Sequence, residues 1–225
     1  MCFEELKKLE HFQYHPELIP FIGQEFSKYK ILFIGESHYL PKATKLNIGK
    51  FSDWYTSKTS DDFSKDDKSY FSTRNVVNNY ISDDRSKAHT MFSRPAKVFC
   101  DLLSKKNINI DNSQVYKYFA FYNYYQRPEI TFGHSFNVSE DLNDSEYAKN
   151  ISNQIFDILK PSVTIFLSKK AYYDYGNRMN WKFNCKIEGV AHPTCSWWNR
   201  KTNDGKCGKC ELERILSEEV ELKSS

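Results

Sequence analysis

The sequence predicts an α/β protein in which two layers of helices cover a central, mainly parallel, four-stranded sheet (α/β/α). Two observations lead to this fold class. Short apolar runs alternate with longer amphipathic segments, as in βαβ units. The runs at 30–35, 115–122 and 163–168 are hydrophobic at most positions, as expected of strands buried on both faces. The length of 225 residues suits a single domain, which we predict to span 1–225.

The N-terminal part predicts helices followed by the first strand. Charged residues alternate with Leu and Phe at helical spacing over 3–12, and a short helical piece ends at Lys28. The strand at 30–35 is followed by Glu-Ser-His-Tyr. From about 41 to 88 the chain is polar and irregular, which we interpret as an insertion; insertions of this length are usually functional or mobile. Two segments rich in aromatic residues, FSDWY and SYFSTRNVVNNYI, indicate that parts of the insertion pack against the rest of the protein.

Alternating helices and strands are predicted for the remainder of the chain. A helix over 93–104 is expected to begin at Ser93 as its cap, with Pro95 in the first turn. The strand at 115–122 ends at Asn123. The later predicted elements are, in order, a helix over Asp144–Leu159, a strand over 163–168, a helix over 171–175, a strand near 185–190 and a helix over 211–222.

Composition narrows the class of protein without selecting a partner. The formal charge is +3, so an anionic partner is neither required nor excluded. Aromatic residues make up 16% of the chain, which fits an aromatic core and also allows stacking on planar ligands. There is no signal-peptide pattern and no apolar run long enough to cross a bilayer. The six cysteines are scattered rather than arranged as a secreted disulfide framework. We predict a soluble, cytoplasmic monomer that does not engage membranes.

Three polar segments follow predicted strands. They are GESHY after the first strand, NYYQRP after the second and HPTCSWW after the fourth. In open α/β sheets the binding site lies beyond the carboxyl ends of the strands. We therefore expect Glu36, Asn123 and His192 to meet around one cleft.

These motifs resemble those of the uracil-DNA glycosylase superfamily. The resemblance covers roughly residues 30–200 and rests on GESHY, FYN, LKPSVTIFLS and HPT, each at or near a strand and in the family's order. It implies the family's α/β/α fold, DNA as the partner, and hydrolysis of the N-glycosidic bond of uracil or another damaged base. It implies no cofactor.

The resemblance assigns roles to individual residues. Glu36 matches the carboxylate that steadies the sugar cation or positions water, and His192 matches the donor to the leaving base. Gly35, Ser37, Tyr39 and Asn123 match positions around the base, where the Asn123 amide would read one edge. From the residues alone, Glu36 could equally cap a helix and Asn123 could equally turn the chain.

Two positions depart from the family pattern. Ser37 stands where one branch has a water-activating Asp, and His38 replaces the usual Pro. A neutral hydroxyl cannot polarise water as a carboxylate does, so Glu36 would have to do so alone. These departures keep open a non-catalytic nucleic-acid-binding member of the same fold.

The segment after His192 is predicted to contact DNA. Trp197 and Trp198 are large flat side chains that could fill the space left by an extruded base, although adjacent tryptophans are also good core material. Arg200 and Lys201 follow them and could hold phosphates.

A zinc site is the rival interpretation of the same region. His192, Cys195, Cys207 and Cys210 have the spacing H-x2-C-x11-C-x2-C, which is compatible with tetrahedral zinc. If zinc occupied His192, that imidazole could not serve a leaving base. The chain would then be a zinc-stabilised interaction module.

Overall fold

The computed structural model describes residues 2–42, 48–57, 63–82, 90–131, 133–176, 185–203 and 205–222. The strands are β1 (Phe21–Ile22), β2 (Ile31–Gly35), β3 (Phe119–Asn123), β4 (Val163–Phe166) and β5 (Lys186–Gly189). The α-helices are α1 (Cys2–Leu6), α2 (Glu10–Tyr14), α3 (Phe26–Tyr29), α4 (Lys65–Phe71), α5 (Thr73–Ser82), α6 (Thr90–Ser104), α7 (Asp144–Leu159), α8 (Lys169–Tyr175) and α9 (Gly208–Leu222). Short 3₁₀ helices cover Pro16–Leu18, Ile48–Phe51, Asn112–Tyr118 and Ser196–Trp198.

The strands form one sheet in the order β1-β3-β2-β4-β5. The last four of these are mutually parallel, whereas β1 pairs antiparallel with β3. The predicted α/β class with a mainly parallel sheet is confirmed, but the prediction of four strands is wrong. The additional strand, Phe21–Ile22, has two residues and is too short to show the alternation by which a strand is recognised in sequence.

Helices cover both faces of the sheet. Alternate residues of β2, Ile31 and Phe33, face a core shared with α5, α6 and α9. Leu32 and Ile34 face a second core shared with α1, α2, α7 and α8. The period of two along a strand explains why a continuous apolar run is needed here: both sets of side chains must be buried.

The boundaries of several predicted elements differ in the structure, and three of the differences are substantial. The helix expected over 3–12 is divided into α1 and α2. The strand expected over 115–122 begins only at Phe119, because the preceding residues form a 3₁₀ turn; a short apolar run does not distinguish the two. Helix α6 begins at Thr90, so Ser93 is not its cap and Pro95 lies inside the helix.

Much of the predicted insertion is packed. Helices α4 and α5 belong to it, and Phe51, Trp54, Phe63 and Phe71 are buried in the second core. Three parts of it (43–47, 58–62 and 83–88) lie outside the described residues, including part of the SKTSDDFSKDDKS stretch. Within the described ranges, no helix combines the length and the apolar character needed to cross a membrane.

Candidate active site

The carboxyl ends of β2 and β3 continue side by side beyond the sheet. Gly35 is in register with Asn123, and the amides of Tyr124 and Tyr125 then donate to the carbonyls of Gly35 and Glu36 at 3.1 and 2.9 Å. Further along, the Glu129 amide donates to the His38 carbonyl at 2.7 Å. The loop after β2 is thus held against the loop after β3.

A cleft of about 630 Å³ opens at this edge of the sheet. Of the residues predicted for the site, it is lined by Glu36, Ser37, Tyr39, Asn123 and His192. A volume of this size lies in the range of small-molecule sites. The expected convergence of the three strand ends is therefore seen in the structure.

The Glu36 carboxylate is held by three donors. Oε1 accepts from the Ser135 hydroxyl at 2.5 Å and from the Phe136 amide at 2.8 Å, and Oε2 accepts from the Ser168 hydroxyl at 2.6 Å. Burial raises the pKa of Glu36, but these hydrogen bonds and the nearby His192 outweigh it, so the net pKa lies below the ordinary value. Glu36 is accordingly ionised at neutral pH. Its two oxygens offer about four lone-pair sites, so one remains for a ligand or a water molecule.

His192 lies on the loop that follows β5. Its Nδ1 is 2.7 Å from the Thr194 hydroxyl oxygen and accepts from the Thr194 amide at 3.3 Å. Because a backbone amide can only donate, we infer that the ring proton of the neutral imidazole is on Nε2. Burial lowers the pKa of His192, and Glu36 opposes this only in part. The Arg94 guanidinium of α6 donates to the Pro193 carbonyl and fastens the loop.

Asn123 presents its side-chain amide to the cleft from the end of β3. The residue is only 6% exposed. A Cβ atom placed on Gly35 would lie 2.0 Å from Asn123 Oδ1, so the amide occupies space that only glycine leaves open. Gly35 therefore contributes to the site by leaving room for the Asn123 side chain. A carboxamide carries an acceptor oxygen and N–H donors, so a ligand with matching groups can hydrogen-bond to it.

The three residues after Glu36 differ in their surroundings. The Ser37 hydroxyl is buried and has no hydrogen-bond partner in the part of the chain that the structure describes. His38 points to α5, where Nε2 lies 3.0 Å from the Thr73 hydroxyl, and burial lowers its pKa to about 3. The pKa of Tyr39 is raised by burial and by the carboxylates of Glu36 and Glu129, so its phenol stays protonated. At neutral pH these side chains are uncharged.

The two tryptophans after His192 lie in different environments. Trp197 is 55% exposed, whereas Trp198 is 2% exposed and packs in the core with α9. A 3₁₀ turn directs consecutive side chains to different sides, which explains the difference. Trp198 is therefore not available to fill the space left by an extruded base, and its prediction as a DNA contact is wrong. Arg200 and Lys201 are exposed and do not line the cleft.

The ligand set proposed for zinc is not assembled in the described residues. Cys207 and Cys210 are joined by a disulfide with 5.1 Å between their Cα atoms, and His192 Nδ1 is engaged by Thr194. Cys195 is a free thiol. Among the residues that the structure describes, no group of three or more His, Cys, Asp or Glu side chains could hold a metal ion.

Several residues of the site were not predicted from the sequence. Ser168 follows β4, so the rule that led to Glu36 and Asn123 would also have selected it. Ser135 and Phe136 lie in a long loop with no recognisable pattern. The insertion contributes Tyr70, Val76 and Asn79 to one wall of the cleft, which only the fold reveals.

Comparison of the chain with family models, with curated proteins and with solved structures gives no match. The fold and the cleft together define an α/β protein with a cleft at the carboxyl edge of its parallel sheet.

Proposed function

We propose that this protein hydrolyses the N-glycosidic bond of a base in DNA, uracil being the first candidate. The observation that carries the proposal is the presence of an ionised carboxylate (Glu36), a carboxamide (Asn123) and a neutral imidazole (His192) in one cleft. Cleavage of this bond leaves positive charge on the sugar and negative charge on the departing base. The cleft offers a group of suitable character for each.

Glu36 would act on the sugar. Its negative charge stabilises the developing cation, and its remaining lone pair can position the attacking water. The water oxygen forms the new bond to the anomeric carbon as the bond to the base breaks, and one water proton ends on the base. The three donors to Glu36 keep it ionised, which is the form that this role requires.

His192 would act on the base. With the proton of the neutral ring on Nε2, the imidazole can donate a hydrogen bond to the oxygen on which negative charge develops. Losing one such donor typically costs on the order of 100-fold in rate. Because burial lowers its pKa, His192 serves as a neutral donor at physiological pH.

Asn123 would recognise the base. A carboxamide offers one acceptor and one donor, which matches an edge of uracil. Phe121, two residues earlier on the same strand, also lines the cleft and can contact the plane of the base. The described lining residues include no Lys or Arg, and Glu36 is the charged group among them, which favours an uncharged ring over a phosphate inside the cleft.

A non-catalytic nucleic-acid-binding protein of the same fold is the second candidate. The observation that favours it is Ser37, a neutral residue where one family branch has a water-activating carboxylate. In that case the cleft would bind a base without releasing it.

Base release distinguishes the two candidates. The protein is incubated with oligonucleotides that contain uracil, hypoxanthine or xanthine, in single- and double-stranded form, and abasic sites are then cleaved with alkali. The proposal expects strand scission with at least one base, and Asn123→Ala should reduce discrimination among bases. Binding without scission on any substrate would favour the second candidate.

A further inference from the structure

The insertion forms one wall of the cleft. Tyr70 from α4 and Val76 and Asn79 from α5 line it, together with Met91 and Phe92 at the start of α6. His38 Nε2 lies 3.0 Å from the Thr73 hydroxyl of α5, which connects this wall to the loop that carries Glu36. This contact links the wall to the loop of Glu36, the residue proposed to act on the sugar.

The lining residues fall into two sets by the elements that carry them: those at the strand ends and on the loops that follow, called here the inner compartment, and those on the insertion and the start of α6, called the outer compartment. The inner compartment holds Phe121 and Asn123, which are 1% and 6% exposed, together with Glu36 and His192. The outer compartment is formed by Tyr70, which is 50% exposed, and by Val76, Asn79 and Met91. Tyr70 is thus a large aromatic side chain with an accessible ring on the wall of a cleft.

The outer compartment suits a planar, uncharged group. Val76 and Met91 are apolar, Asn79 supplies a donor and an acceptor, and the described residues of the lining include no cation that would attract a phosphate. A cleft of about 630 Å³ is in the range that accepts ligands of several rings, which is more than one pyrimidine needs.

We propose that the outer compartment binds the base next to the one in the inner compartment, with Tyr70 stacking on it, and that the natural ligand is therefore single-stranded nucleic acid. This inference rests on the proposed function for the identity of the ligand. In a duplex the neighbouring base is paired and stacked between its own neighbours, so its faces are not available to Tyr70. In a single strand the faces of the neighbouring base are available to Tyr70. Stacking of a base on an aromatic ring does not depend on the nucleotide sequence.

Equilibrium binding of fluorescent oligodeoxynucleotides tests the inference. The probes are a short single strand with a central uracil and the same strand annealed to its complement. The variants are Tyr70→Ala, Tyr70→Phe, which keeps the ring, and Tyr173→Ala. Tyr173 is 62% exposed on α8 and does not line the cleft, so it is a matched control for loss of an exposed tyrosine.

The inference expects the wild type to bind the single strand more tightly than the duplex. Tyr70→Ala should weaken single-strand binding roughly tenfold and reduce the difference between the probes. Tyr70→Phe and Tyr173→Ala should bind as the wild type does. Equal losses on both probes, equal losses in Tyr70→Ala and Tyr173→Ala, or no loss in Tyr70→Ala would overturn it.

Base release, measured on the same single strand with uracil, hypoxanthine or xanthine at its centre, separates this inference from the proposed function. Binding that depends on Tyr70 without base release would refute the hydrolase and leave the outer compartment supported. Base release with unchanged binding in Tyr70→Ala would support the hydrolase and refute the role of Tyr70. Absence of binding to either probe would refute both.

Discussion

The buried ion pair between Arg127 and Asp144 should hold the loop that positions Glu36. Both side chains are 0% exposed, and Arg127 Nη2 lies 2.8 Å from Asp144 Oδ2, with Nε at 3.0 and 3.1 Å from the two carboxylate oxygens. The Tyr55 hydroxyl and the Ser139 amide also donate to Asp144, each at 2.8 Å.

The same pair contacts the residues next to Glu36. The Arg127 guanidinium lies 4.3 Å from the centre of the Phe136 ring, and it donates to the carbonyl of Asn137. Ser135 and Phe136 supply two of the three hydrogen bonds to Glu36. Loss of the pair should therefore disturb the site as well as the fold.

Asp144→Asn removes the charge and leaves Arg127 as an unpaired buried cation. We expect it to lower the free energy of unfolding by roughly 3–5 kcal/mol, measured by urea denaturation followed by tryptophan fluorescence. Asp101→Asn is the control, since Asp101 forms an exposed pair with Lys97 at 3.1 Å and should have far less effect.

A double variant tests whether the loss of stability comes from the unpaired charge. Replacing both Arg127 and Asp144 with Leu removes both charges, so it should be less destabilising than Asp144→Asn alone. A loss of stability in Asp144→Asn no larger than in Asp101→Asn, or a double variant less stable than both, would show that the buried pair does not hold this loop.

Three further predictions concern single residues around the cleft. Burial lowers the pKa of His38 to about 3. Between about pH 6.5 and 3 the unfolded chain therefore binds a proton at His38 that the folded chain does not. The contribution of His38 to the free energy of unfolding should be constant above pH 6.5 and fall by about 1.4 kcal/mol per pH unit below it. Urea midpoints at neutral and acid pH should therefore change less in His38→Gln than in the wild type, and an equal change would contradict this. Gly35→Ala places a methyl group 2.0 Å from Asn123 Oδ1, so base release should fall on the order of 100-fold, and unchanged kinetics would contradict it. Ser168→Ala removes a hydrogen bond that lowers the pKa of Glu36, so the acid limb of the pH–rate profile should move to higher pH; a limb that stays in place would show that Glu36 does not control it.

The strand ends that carry Glu36, Asn123 and His192 could be predicted from the sequence, but most of the other residues that line the cleft could not. Parallel strands bring their carboxyl ends together, so the order of GESHY, FYN and HPT was enough to place Glu36, Asn123 and His192 in one cleft. Tyr70 could not be predicted in the same way, because its place depends on how the irregular insertion packs. Trp198 was misplaced because adjacent indoles look equivalent in sequence, and only the 3₁₀ turn directs one of them into the core.

The most direct test of the account is the single-turnover rate of uracil release from a single-stranded oligonucleotide by the wild type, Glu36→Gln and His192→Ala. Glu36→Gln keeps the shape of the side chain and removes its charge, and His192→Ala removes the donor to the base. Melting temperatures of the three proteins serve as the control for folding. We predict release by the wild type and a loss of at least tenfold in each variant, with unchanged melting temperatures. No release by the wild type, or equal rates in all three proteins, would contradict the account.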